Sequence, residues 1–184
     1  MERNMEQIKQ RIATLLSQKD RVILAIEGKC TSGKTTLAAA LAQQYDCNVF
    51  HMDDFFLRPH QRTPERFAEI GGNVDYERFL AEVLVPLQTG KPFAYCPFDC
   101  GSFTLGQPVE VQPKRLNIVE GTYCLHPYFG EAYDLKVLLT VSEEQQRQRI
   151  LQRPAFLHAR FFEEWIPMEN RYFGQLSRDV DLIL

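Results

Sequence analysis

Paired cysteines, metal-ligand spacing and long apolar runs are all missing from this chain, and each absence argues against a class of function. The five cysteines (Cys30, Cys47, Cys96, Cys100 and Cys124) are odd in number and form no CxxC pair. That argues against a disulfide framework and for free thiols in a reducing cytoplasm. The four histidines lie apart and form no HExxH, so a zinc site has little support. The strongest apolar run, Val22 to Ile26, is far too short to span a bilayer. Met1 to Gln10 is charged and lacks the apolar core of a signal peptide. Positive charge is also lacking. The formal net charge is -3, and the clusters Lys114–Arg115 and Arg147/Arg149/Arg153 are short, so neither nucleic acid nor a membrane is an expected partner. No internal repeat or low-complexity tract occurs. The expectation is one cytoplasmic domain covering residues 1–184, with homo-oligomerisation left open.

What is present is an alternation of strand-like and helix-like segments. Hydrophobic residues make up 45% of the 184 positions and charged residues 24%, enough for a well-buried core. Residues 4–18 read as an amphipathic helix with Ile8, Ile12, Leu15 and Leu16 on one side. Residues 21–27 form a β-branched apolar run of buried-strand length. A helical composition follows from Lys34 to about Tyr45, then a second short strand over 47–52. Residues 53–74 are loop-like. A helix is predicted over about 76–87, with Asp75 as N-cap. The proline-rich stretch 90–113 reads as short irregular strands or a hairpin outside the core sheet. Two further buried strands fall at 115–119 and 135–141. Ser142 then caps a helix over about 143–152, with Gln145 completing a capping box, and Pro154 ends it. A last long helix covers about 158–175, and 181–184 is a short final strand. The alternation predicts a doubly wound α/β sandwich.

The chemically decisive segment is Gly28-Lys29-Cys30-Thr31-Ser32-Gly33-Lys34-Thr35, which matches G-x-x-x-x-G-K-[ST] at every fixed position. Glycines let the backbone close around phosphate oxygens where side chains would collide. Successive N–H groups form an anion nest, and the following helix offers its positive N-terminus. Lys34 supplies a point charge for the β- and γ-phosphates, and Thr35 an oxygen for Mg²⁺. Chance would produce such a match in a chain of this length on the order of 1% of the time, and the strand-before, helix-after context excludes most of those cases. The bland alternative is an ordinary strand-to-helix turn. The sequence has no NKxD or DxxG motif, against a GTPase, and no LSGGQ-like signature, against a transporter ATPase. The chain is also short for a motor core.

Further segments carry a resemblance. His51-Met52-Asp53-Asp54-Phe55-Phe56, Gly72-Asn73-Val74-Asp75-Tyr76-Glu77-Arg78-Phe79, Ile118-Val119-Glu120-Gly121 and the arginines 147, 149 and 153 resemble, in order, motifs of the uridine kinases and their relatives. The resemblance runs from about Arg21 onward. It implies a three-layer α/β/α P-loop fold with a mainly parallel central sheet, a small substrate-binding insertion at about 53–113 and a helical lid at about 147–160. It implies an ATP-dependent kinase using Mg²⁺, with a small-molecule hydroxyl acceptor that is nucleoside-like. Pantothenate, nicotinamide riboside or a sugar phosphate are alternative acceptors, and a nucleotide-binding regulatory module without turnover is the alternative of another class.

The residue assignments follow. Asp53, just past a strand end beside the phosphate loop, sits where ligands bind in open α/β sheets. The family implies that it takes the proton of the attacking hydroxyl and helps hold Mg²⁺; a turn cap is the plain alternative. Glu120 ends a buried strand and needs a partner there, either Mg²⁺ or a salt bridge to Lys34 or a nearby arginine. Thr35, Glu120 and Asp53 are thus the metal candidates. Residues 28–35, with Thr36 and Arg149, form the nucleotide side. Asp53, Lys34 and Arg153 form the catalytic set. Arg149 and Arg153 share a helix face, Arg147 lies off it, and guanidinium groups suit phosphate oxygens. Asp75 resembles a ribose-binding aspartate and is equally an N-cap. Phe56, Tyr95 and Phe98 are assigned with it to the acceptor. The pyrimidine-reading histidine of the uridine kinases has no counterpart, since Phe103 stands downstream of Phe98-Asp99-Cys100. Tyr95, Phe98 and Phe103 either stack on a base or form a small satellite core. Trp165 to Phe173 reads mainly as packing, and spacing alone leaves open whether Glu169 and Arg171 reach the site.

Overall fold

The computed structural model describes residues 2–176 and 179–184. Its central strand, β1 (Val22–Gly28), is buried along its whole length, so both faces need cover. Val22, Leu24 and Ile26 pack with Ile8 and Ile12 of the N-terminal helix (Glu2–Gln18) and with Ala38 and Leu41 of the P-loop helix (Lys34–Ala42). Ile23 and Ala25 enter a second core with Phe50, Phe55, Phe79, Val83 and Tyr172. Alternation along one strand thus feeds two cores, which is the physical content of a three-layer fold.

Strands β2 (Cys47–His51), β3 (Leu116–Glu120), β4 (Leu135–Leu139) and β5 (Leu182–Ile183) complete the sheet. The order is β2-β3-β1-β4-β5, and every pairing is parallel. The α/β class with a parallel central sheet therefore holds. Register matters for the site. Ile26 lies opposite Glu120, and Glu120 opposite His51. The loops that leave β1, β3 and β2 therefore emerge side by side at one sheet edge, where α/β folds bind ligands.

Local departures from expectation have simple causes. The P-loop helix stops at Ala42 rather than near Tyr45. The stretch 53–74 holds 3-10 turns at Met52–Phe55 and Pro59–Gln61 and a helix at Pro64–Ala68, whose N-cap Thr63 accepts from the Arg66 amide at 3.2 Å. The next helix runs through Tyr76–Phe79, a π turn at Leu80–Leu84 and Val85–Thr89. Asp75 caps it by accepting from the Arg78 amide at 3.2 Å. The long helix near the C-terminus repeats the pattern, with a π turn at Phe161–Trp165 before Ile166–Gln175. Each π turn precedes a proline, Pro86 or Pro167, which cannot donate an in-helix bond.

Residues 90–113 form two small antiparallel pairs outside the main sheet, Phe93–Tyr95 with Val109–Val111 and Phe98–Asp99 with Thr104–Leu105. The helix Glu143–Leu151 starts at Ser142, whose hydroxyl accepts from the Gln145 amide at 3.2 Å. Among the described residues the reciprocal bond from the Gln145 side chain is absent, so half of the expected capping box forms. None of the described helices is long and apolar enough to cross a membrane.

Candidate active site

The segment between β1 and the P-loop helix has the backbone that a phosphate nest requires. Gly33 caps the helix at φ 101°, in the left-handed region. Gly28 is tight for another reason: an added Cβ would lie 2.6 Å from the Leu139 carbonyl oxygen. Thr31 also takes a positive φ, 63°. The hydroxyls of Thr31 and Ser32 are buried without a partner. Buried hydroxyls of this kind are costly unless something supplies their bonds, and phosphate oxygens fit the role. The Lys34 ammonium is held over the loop by the carbonyls of Gly28 (2.7 Å) and Lys29 (2.9 Å) and by the Thr122 hydroxyl at 3.3 Å. A cavity of 1040 Å³ opens beside the loop. It is lined by the loop from Thr31 to Thr36, by Arg149 and Arg153, and by Asn4 and Met5 of the N-terminal helix.

Three oxygen-bearing side chains gather next to it. The Thr35 hydroxyl donates to Glu120 Oε1 at 3.0 Å. Glu120, 5% exposed, also meets His51 Nδ1 at 2.6 Å. Its buried charge therefore has a partner, but the partner is His51 rather than Lys34 or an arginine. The pairing raises the His51 pKa, and the Glu120 hydrogen bond is the main cause. Asp53 keeps an exposed face, yet its carboxyl pKa is raised. Lost hydration is the first cause and the Glu120 charge the second, with Lys34 and His51 opposing them. Asp53 thus lies in the field of both the P-loop lysine and Glu120. Among the described residues no three His, Cys, Asp or Glu side chains form a metal cage. Thr35, Glu120 and Asp53 instead make a sparse set of hard oxygens. That suits Mg²⁺, which commonly takes one or two carboxylates and completes its shell with phosphates and water.

Two further carboxylates support the loop, and neither was singled out as a site residue from sequence. Glu27, fully buried, accepts from the amides of Gly28 (2.8 Å), Tyr123 (3.2 Å) and Leu125 (3.0 Å) and from the Tyr172 hydroxyl at 2.8 Å. Burial pushes its pKa up to about 7 against those donors. A signal was available, because a lone charge closing an apolar strand is the feature that flagged Glu120. Glu169, 4% exposed, accepts from the Cys30 amide and from the Gln146 side chain. Sequence spacing left its position open; in the fold it touches the P-loop. Arg171 does not, since it donates to the Phe67 carbonyl. Lys29 reaches Asn170 at 2.6 Å.

Arg149 donates to the Thr31 carbonyl at 2.7 Å, and Arg147 turns away onto the Phe162 ring. Arg153 lines the cavity. On the acceptor side the aromatic residues are largely consumed by packing. Tyr95 is buried against Phe50 and Phe55, and only its hydroxyl reaches toward the site, donating to Asp54 at 3.3 Å. Phe98 is buried beneath Phe103 and Arg62. Phe56 is half-buried and pairs with Val74. Asp75 is 1% exposed and lies within 3.4 Å of Arg58, so its capping role is visible and its access to a ligand is small.

No family model matches the chain. A protein of Schizosaccharomyces pombe, provisionally named as a uridine kinase, is 28% identical over 173 residues, covering 80% of this chain and 72% of its own. Among solved structures, a possible uridine kinase from Bacillus stearothermophilus superposes with a TM-score of 0.70 at 21% identity, covering 97% of this chain and 99% of the other. A provisionally named fructose transport system kinase from Silicibacter sp. TM1040 gives 0.73 at 22% identity, with 94% and 96% covered. In sequence and in fold, this chain resembles the uridine kinase-like P-loop kinases.

Proposed function

We propose that this protein transfers the γ-phosphoryl group of ATP to a hydroxyl of a small molecule. One observation carries the reading: a carboxylate, Asp53, at the open sheet edge, under the influence of both Lys34 and the Glu120–Thr35 pair. Nucleotide binding alone needs no such group.

In this reading the amides of residues 28–35 cradle the phosphates, and Lys34 gives up its carbonyl contacts to meet them. Thr35 and Glu120 hold Mg²⁺, which neutralises charge on the phosphates when bound. Asp53 accepts the proton of the acceptor hydroxyl. Its raised pKa improves its match to that task. Arg149 and Arg153 face the cavity beside the loop and supply charge as the lid closes. A nucleoside is one acceptor consistent with the S. pombe relative's name, and a sugar is consistent with the fructose transport kinase neighbour.

The test is a panel of alcohols with ATP and Mg²⁺, scored for ADP release. An acceptor that raises turnover above the intrinsic ATPase rate supports the reading. Saturable ATP binding with no stimulation by any acceptor would favour a regulatory nucleotide-binding module instead.

A further inference from the structure

The acceptor side of the site holds four arginines, and three of them are neutralised within the fold. Arg58 faces Asp75 at 3.4 Å. Arg66 pairs with Glu77 and Glu69. Arg78 lies near Asp75 and Glu82 and donates to the carbonyls of Cys96 and Asp54. Arg62 differs. Its Nε donates to the Leu57 carbonyl at 2.9 Å, and no carboxylate among the described residues pairs with it. Its guanidinium lies on two rings, 4.9 Å from the centre of Phe103 and 5.6 Å from that of Phe98. Ring contact holds the plane and leaves its terminal nitrogens to whatever enters.

The supporting hairpin is built at some cost. Phe103 has a φ of 58° and is 46% exposed. Asp99 ties the turn by accepting from the Gly101 amide at 2.7 Å and the Ser102 hydroxyl at 2.8 Å. The strand Phe98–Asp99 packs on the turn Met52–Phe55, which carries Asp53. Burial raises the pKa of Cys100, at the hairpin, and the charge of Arg62 opposes it. Tyr95 and Phe98 are buried, which leaves little of either ring to meet a nucleobase.

We propose that the acceptor is an alcohol bearing a second, anionic group, a phosphate or a carboxylate, and that Arg62 binds that group while Asp53 faces the hydroxyl. Planar guanidinium groups recognise either anion through paired hydrogen bonds. This rests on the kinase reading above.

The experiment compares neutral nucleosides and sugars, hydroxycarboxylates, and sugar or nucleoside monophosphates as acceptors for wild type, Arg62→Gln and Arg62→Lys. An anionic member is expected to be preferred, and which arm responds identifies phosphate or carboxylate. Arg62→Gln should raise its KM by about tenfold to a hundredfold with the KM for ATP unchanged, and Arg62→Lys should recover part of the loss. A neutral acceptor preferred by wild type and equally good in Arg62→Gln overturns the proposal while leaving the kinase reading intact. No stimulation by any acceptor overturns both. A second measurement needs no turnover: alkylation of Cys100 by iodoacetate relative to iodoacetamide. The ratio should fall several-fold in Arg62→Gln, and an unchanged ratio counts against an anion-attracting site.

Discussion

The amide of Cys30 donates to both carboxylate oxygens of Glu169, at 3.2 and 3.1 Å. Glu169 belongs to the last long helix, and Gln146 of the helix Glu143–Leu151 donates to the same carboxylate at 3.3 Å and to the Cys30 carbonyl, also at 3.3 Å. The phosphate loop is therefore hung between two helices that lie far along the chain, and all three share one buried polar contact.

Glu169→Ala should consequently loosen the loop. It leaves a part-buried N–H and the Gln146 amide without their acceptor, a loss of about 1–3 kcal/mol. Urea denaturation should show the lower stability. Nucleotide titration should show weaker ATP binding, while Glu169→Gln, which keeps an acceptor oxygen, loses less.

Glu27 makes stability depend on pH. Its folded pKa, about 7, lies above its ordinary 4.5 because burial outweighs its four donors. The folded state therefore binds the proton more tightly than the unfolded chain. The stabilisation is fully present below the unfolded value and is lost as pH rises through about 7. The span is on the order of 3 kcal/mol. Asp53, Asp54 and Glu169 are raised too and act in the same direction. Urea midpoints at a series of pH values should fall across this window in wild type and fall less in Glu27→Gln.

Asp53→Asn separates binding from transfer. It should leave ATP affinity close to wild type and reduce acceptor phosphorylation by roughly 10²–10⁴-fold, the usual worth of a positioned base. Equal loss of both would place Asp53 in nucleotide binding instead.

Gly28→Ala should disable the loop outright. The new Cβ would sit 2.6 Å from the Leu139 carbonyl, which is backbone of β4 and cannot swing aside. Overpacking of this sort costs about 1–3 kcal/mol. Thermal melts should register the strain, and ATP should no longer raise the melting temperature.

Much of this architecture was legible in the sequence. The phosphate loop is contiguous, and its glycines, lysine and threonine act through backbone geometry that eight residues can specify. Strands β1 and β3 announce themselves because they are mostly apolar and buried along their whole length. Glu120 was flagged by the cost of ending such a strand with a charge, but its partner was not, because His51 reaches it only through the β2–β3 register. The aromatic residues of the insertion show the opposite limit. Composition could not say whether Tyr95 and Phe98 face a ligand or a core; the fold packs Tyr95 on Phe55 and Phe98 beneath Arg62.

By itself, then, the chain's sequence determined the anion-binding loop, the alternating strands and helices, and the charge of Glu120 at a strand end. These depend on local conformation and on burial, which a linear pattern encodes. Only the tertiary structure decided which groups the carboxylates serve. Glu27 meets Tyr172 across 145 positions, Glu169 meets Cys30 across 139, and among the described residues Arg62 has no carboxylate partner while its neighbours find theirs. Hydrogen bonds and ion pairs of that separation have no periodicity to read, because they exist only once the sheet order has brought distant loops to one edge.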